Sequence, residues 1–260
     1  MNYTINNMID LRDDGDYCGL RDELERTEKT YRGITDYDEL HARWVQDLAT
    51  EEAKKELAIG DELQGLLARK ERASVASYYR SLSQFMEAYP DSYYAEVAED
   101  ELVPIHKDLD ALFREIGDLD ELGDMYTKYE RIKQAKDTFA KIPRFDESYA
   151  TWMAESKDGD VRDAISAGKA YEAIFEDLEE LNEKLAKAQA KDAKITSPSK
   201  RAVAQERTLS GHLRKLEGLA DKLDKLARKH GDTYYGRAAR SSYFAFVDSE
   251  KKTLTDKRER

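Results

Sequence analysis

The sequence predicts an all-α protein, a helical bundle or irregular α-solenoid carrying a long antiparallel, coiled-coil-like helical hairpin. Three observations predict it. Charged residues make up 38% of the 260 positions while Gly and Pro number only 13 and 4, a composition of long solvated helices rather than sheet. In the last third, apolar residues recur at intervals of three and four, first Tyr171, Ile174, Leu178, Leu181 and Leu185, then Leu209, Leu213, Leu216, Leu223 and Leu226. The stretches between such stripes carry helix-opening and helix-breaking residues such as Thr50, Pro90 and Ser197-Pro198.

Taken in order, residues 1–15 read as a polar, poorly ordered arm. A helix is predicted after Asp16, with charges at helical pair spacings, ending near Gly33. The next, "YDELHARWVQDLA", places Leu40, Trp44 and Leu48 on one face. Thr50 is a predicted N-cap for one long helix reaching Tyr89, with Gly60 and Gly65 as weak points that each cost about 1 kcal/mol relative to Ala. Pro90 ends it. Helices are predicted near 93–116, 120–141 and 147–156, with breaks at "IPRFDES" and "SKDGD". Residues 16–158 thus form a helical assembly, and 159–260 a long hairpin plus a C-terminal helix. Ser197 before Pro198 opens the second hairpin arm, since proline is tolerated where an amide has no intrahelical partner. Each arm spans about 33 residues, or about 50 Å at 1.5 Å per residue.

One phrase returns. "YPDSYYAEVAED" at Tyr89 is echoed 141 positions later by "HGDTYYGRAARS" at His230. In both, a long helix ends, a turn follows and a new helix opens. Pro90 blocks continuation in the first and Asp91 or Ser92 caps; in the second, Gly231 is expected in the left-handed closing position, with Asp232 or Thr233 as cap. Paired tyrosines follow, then small residues (Ala95 and Ala98, Gly236 and Ala239) that let a neighbouring helix approach. Leu82 and Phe85 fall at the offsets of Leu223 and Leu226, and "FDESYATWMAES" is a looser third version. The Tyr89–Ala98 joint resembles the "YPDSxYA" joint of bacterial tetratricopeptide-type repeats. The resemblance covers about a dozen residues and departs from the family at Val103 and Pro104, and no regular period of about 34 residues emerges. It implies a helical-repeat scaffold used for protein binding.

The residues give little support to catalysis. Histidines 41, 106, 212 and 230 form no His-x-x-x-His or Glu-x-x-His pair, so no zinc or di-iron site is predicted. The acidic runs near Asp10 and Asp118 fail as calcium loops because Arg21 and Tyr129 stand at the twelfth positions. No Gly-rich phosphate loop or nucleophile elbow is present in the sequence, and Glu179 and Glu180 lie on an exposed helix face. No cofactor, metal or catalytic residue is assigned. The single cysteine, Cys18, excludes an internal disulfide framework and reads as a small packed residue or an exposed bystander, with a reactive thiol the lesser reading.

Net charge is −12, unevenly spread. Residues 196–260 hold 16 Lys+Arg against 9 Asp+Glu, about +7, leaving about −19 elsewhere. The candidate partner-binding residues lie on the helix after the second joint: Tyr234, Tyr235, Arg237, Arg240 and Tyr243, followed by Phe244 and Phe246. Arg beside aromatics anchors protein interfaces and also stacks bases. Core packing is the first reading of these aromatics, a protein interface the second, and nucleic acid the third, since an acidic body repels a polyanion. The expected function is a non-catalytic protein-interaction scaffold or assembly component of a larger complex, a virion or secretion apparatus among them, with other subunits or self-association as partners. The alternatives are an enzyme with a site between bundle helices and a nucleic-acid-associated factor acting through the basic C-terminal third. No apolar run reaches a membrane-spanning length and no signal peptide is read, so a cytoplasmic protein or part of an intracellularly assembled particle is expected.

Overall fold

The computed structural model describes residues 2–243 and 247–259. Among the described residues there are twelve α-helices, one 3₁₀ turn and no strand. The helices are α1 (Asn2–Asp14), α2 (Tyr17–Tyr31), α3 (Thr35–Leu48), α4 (Glu51–Leu67), α5 (Val75–Ala88), α6 (Tyr93–Leu122), α7 (Met125–Phe139), α8 (Pro143–Glu155), α9 (Gly159–Asp192), α10 (Pro198–Lys229), α11 (Tyr234–Ser242) and α12 (Asp248–Glu259). No described helix is long and apolar enough to cross a membrane.

The expected all-α class is what the chain adopts, with local differences: α6 runs through the break expected after residue 116 and ends at Leu122 before the positive-φ Gly123, α8 already opens at Pro143 within "IPRFDES", and three others have clear causes. Residues 2–14 form helix α1 where the sequence reads as an arm, because Ile5, Met8 and Leu11 share a face; Met8 is fully buried with Leu20, Leu24, Tyr37 and Trp44. The single helix expected from 51 to 89 is two. It passes through Gly60 and Gly65 but stops after Leu67, because Ala73 is extended and the Ser74 hydroxyl accepts the Ser77 amide at 3.2 Å, capping a new helix. Gly231 is not left-handed: the positive-φ glycines among the described residues are Gly15, Gly33 and Gly123, and α10 closes on His230 at φ −122°. What Gly231 supplies is room, since a Cβ there would stand 3.0 Å from the Ala227 carbonyl oxygen.

The chain divides into two compact units, residues 1–112 with 137–146, and residues 113–136 with 147–260. In the first, Leu63, Leu82, Phe85, Tyr94 and Ala98 build one cluster and the Met8–Trp44 group another. In the second, α9 and α10 pack as an antiparallel hairpin. Asp163 meets His230, Asp177 meets Lys222 and Asp192 meets Thr208, so one residue number falls as its partner rises. Ile174, Leu178, Leu181, Leu209, Leu216, Leu223 and Leu226 fill the seam, the stripe the heptad-like spacing predicts.

The same local devices occur twice along the chain. At a spacing of 108 positions, Gly15 and Gly123 both take positive φ (+85° and +73°). Asp16 and Asp124 follow them and cap the next helix, accepting the amides of Gly19 at 2.9 Å and Thr127 at 3.1 Å. Gly33 and Lys141 also have positive φ, and both donate their amides to a carboxylate five residues on, Asp38 and Asp146. Tyr31 pairs with Tyr37 and Phe139 with Phe145, at ring distances of 5.5 and 5.9 Å. Trp44 matches Trp152, and the capping residues Thr50 and Asp158 match as well. Gly60 matches Gly168; at either, an added Cβ would come within 2.4 Å of a neighbouring side chain.

Past α4 the spacing becomes 141. Leu82 then matches Leu223, Phe85 matches Leu226, Tyr94 matches Tyr235 and Ala98 matches Ala239, all buried except the half-buried Tyr235. The difference of 33 positions is extra chain in the second copy, where α4 and α5 (17 and 14 residues) are answered by α9 and α10 (34 and 32). Residues 12–99 are called the first copy below and 120–240 the second. The extra length, centred on the 193–197 turn, is called the arm.

Candidate functional site

Each copy is locked at its joint by a tyrosine hydroxyl that reaches an N-capping aspartate. In the first copy the Cys18 amide donates to the Tyr94 hydroxyl at 2.7 Å, which in turn donates to Asp16 at 3.1 Å. Burial pushes the Tyr94 phenol well above its ordinary pKa. In the second, the Tyr235 hydroxyl donates to Asp124 at 3.2 Å and pairs with the Thr127 hydroxyl at 2.9 Å. Its ring lies against Tyr126, Tyr171 and Tyr234, and burial, then the Asp124 carboxylate, pushes its pKa up to about 12.

Of the five candidate residues, Tyr235 and Tyr243 pack against the hairpin core, and Tyr234 is half-buried. Arg237 and Arg240 are exposed, with Arg237 donating to the Asp232 carbonyl at 2.7 Å. Phe244 and Phe246 lie outside the described residues. The two arginines sit at the positions of Glu96 and Glu99 in the first copy, so the two copies carry opposite charge on the equivalent helix face.

A cavity of about 220 Å³ opens in the second copy, lined chiefly by Met125, Lys128, Ile132, Trp152, Val161 and Ile165. Lys128 is 8% exposed and its ammonium lies between Asp120 at 2.6 Å and Glu155 at 3.3 Å. Its counterpart 108 positions earlier is Leu20, fully buried. The counterparts of Asp120 and Glu155 are Arg12 and Asp47, which form an ion pair at 3.2 Å. That pair is a charge contact without an aligned hydrogen bond, since Asp47 Oδ2 is buried and unbonded. In the first copy, then, opposite charges meet directly and a leucine fills the space. In the second, two carboxylates occupy these positions, Lys128 bridges them, and the apolar filling is lost. Cavity and lysine therefore have one origin.

A second groove runs along the arm. Its floor is Leu181, Leu185 and Ala188 of α9 with Gly211 of α10, and Lys184, Arg207 and Lys215 stand at its rim. His212 lines it at 4% exposure, and neither of its ring nitrogens has a hydrogen-bond partner. Burial, and then Lys215, pushes the imidazole pKa down. An unbonded buried imidazole costs free energy that a leucine would not. Residues 184–215 hold 9 Lys+Arg against 2 Asp+Glu, so the arm end is about +7 in a chain of −12. One of those two acids, Asp192, is buried and accepts from Thr208 at 2.7 Å.

The remaining histidines have structural company. His230 meets Asp163 at 2.8 Å, while His41 and His106 pack against the rings of Tyr37 and Tyr79. Cys18 is buried, and burial raises its thiol pKa. Among the described residues no group of three or more His, Cys, Asp or Glu is placed to hold a metal ion. Sequence reasoning missed Lys128 and the His212 groove. The available signal was the comparison at spacing 108, which sets Leu20 against Lys128 and Arg12 against Asp120. No protein-family model, curated protein or solved structure matches this chain.

Proposed function

We propose that the protein is a non-catalytic interaction scaffold that engages other protein subunits through the arm of its second copy. One observation carries this reading. The two copies share their capping positions, joints and most core positions, and the 33 extra positions of the second lengthen the hairpin, adding a basic, grooved surface that the first copy folds without. The resemblance of the Tyr89–Ala98 joint to tetratricopeptide-type repeats supports the same function class. The test is light scattering together with co-purification of the full chain from its native source. A stoichiometric protein partner or a defined oligomer is expected, and a strict monomer that retains nothing contradicts the reading.

The cavity at Lys128 favours a second reading, a small-molecule site between helices. It requires a ligand-induced rise in melting temperature that Lys128→Leu abolishes.

A further inference from the structure

We infer that the groove on the arm docks the acidic face of α6 from a second copy of this chain, producing a head-to-tail contact. This rests on the interaction-scaffold reading and names its partner. The groove asks for three things. Its floor is apolar, its rim holds three cations, and His212 lining it has ring nitrogens without a hydrogen-bond partner among the described residues. Among the described residues Lys184 pairs with Glu180 one turn away, an exposed pair of little strength.

The chain itself carries the complementary surface. Glu96, Glu99, Asp100 and Val103 stand at i, i+3, i+4 and i+7 and so lie on one face of α6. All four are exposed, Val103 at 38% despite being apolar, and among the described residues the three carboxylates form no ion pair. Three carboxylates around one valine answer three cations around an apolar floor. Helix α6 as a whole holds 10 Asp+Glu against 2 Lys+Arg, about −8, against about +7 for the arm end. The two surfaces are different patches, so the contact is heterologous: it generates a ring if the rotation closes and a filament if it does not. Charge matching of this kind speeds encounter and fixes register, and like charges placed face to face cost several kcal/mol.

The experiment is sedimentation velocity on the full-length protein across protein concentration, at low and high salt. Wild type is expected to associate at low salt and dissociate as salt rises. Lys184→Glu/Arg207→Glu/Lys215→Glu and, separately, Glu96→Lys/Glu99→Lys/Asp100→Lys are expected to weaken association by about 100-fold or more. Mixing the two triple variants restores opposite charge at both contacts, the native pair and the reversed pair, and is expected to recover association with the two variants alternating. All six positions are exposed, and retained helical circular dichroism confirms that each variant folds. Arg237→Glu/Arg240→Glu, the competing basic face, is expected to associate like wild type. Wild type that stays monomeric at every concentration and salt overturns the inference, as does association that survives the arm triple or is lost in the Arg237/Arg240 variant. A monomer that still retains a different protein through the arm sinks this inference while leaving the scaffold reading standing.

Discussion

The two copies solve one folding problem with different side chains, and the places where they part company locate the surfaces with spare chemistry. Where they agree, the physical demand is the same. A positive-φ residue precedes each capping aspartate, a tyrosine hydroxyl reaches that aspartate from the joint, and a glycine sits where two helices approach too closely for a Cβ. Where they differ, the second copy has accepted costs that the first avoids. It buries a lysine in place of a leucine, leaves a histidine unbonded and extends a charged hairpin. Stability alone does not favour these features, because a buried charge or an unbonded imidazole is less stable than a packed leucine.

The largest expected effect separates the two joints. A Cβ at Gly236 would stand 1.7 Å from the His230 carbonyl oxygen, a backbone atom that cannot step aside, whereas the first copy already holds Ala95 at this position. Gly236→Ala is expected to cost at least about 3 kcal/mol in urea unfolding, the upper end of overpacking penalties. Ala95→Gly should cost only about 1 kcal/mol of helix propensity. Equal costs would break the distinction between the joints.

Next come the joint tyrosines. Tyr94→Phe leaves the buried Cys18 amide unpaired and is expected to cost about 2 kcal/mol. Tyr235→Phe should cost about 1 kcal/mol, because Asp124 retains the Thr127 amide and the hydroxyl's two partners are an exposed Thr127 side chain and that carboxylate. A reversed order, read from thermal or urea unfolding, would show that the second joint is the more dependent on its tyrosine.

The cavity offers a test by grafting. Lys128→Leu alone leaves Asp120 and Glu155 facing each other and is expected to destabilise by about 1 kcal/mol. Adding Asp120→Arg rebuilds the first copy's arrangement and should recover that loss, a coupling of about 1 kcal/mol or more in a double-mutant cycle. Additive effects would mean that the two substitutions do not answer one another.

His212 gives the smallest effect, and its sign is fixed. A base whose folded pKa is lowered binds fewer protons folded than unfolded, so its contribution is fully present above its ordinary value of 6.5 and is lost as pH falls below it. The charged groups lining the groove with it are Lys184 of α9 and Arg207 and Lys215 of α10, all cations, and Lys215 adds to the effect of burial. His212→Leu should therefore flatten the loss of stability between pH 6.5 and more acidic values. An unchanged pH profile would remove the imidazole from the account.

Much of this was legible in the sequence. The hairpin stripe, the Thr50 cap, the Ser197-Pro198 opening and the recurring joint all rest on short-range rules, and each has a counterpart in the structure. Helix α1 was not legible, because three apolar residues among polar ones look like coil until Leu20, Leu24 and Trp44 supply something to pack against. The break before Ser74 was hidden because polar residues on both sides suit a helix equally well. Lys128 was invisible for a related reason: a lysine inside a helix reads as solvated, and only the placement of Asp120 and Glu155 makes it buried. The spacing of 108 escaped notice because paired positions share roles more often than identities, as with Thr50 and Asp158 or Gly33 and Lys141.

The account depends on the arm being an addition to a unit that folds without it. The direct measurement replaces residues 176–215 with the first copy's connection, residues 68–74, and follows the shortened chain by circular dichroism and amide hydrogen exchange. A cooperatively unfolding, helical protein with protected amides around Leu223 and Tyr235, and no self-association, is the predicted result. A chain that loses protection throughout the second copy would show that the arm is part of the fold, and would contradict the account.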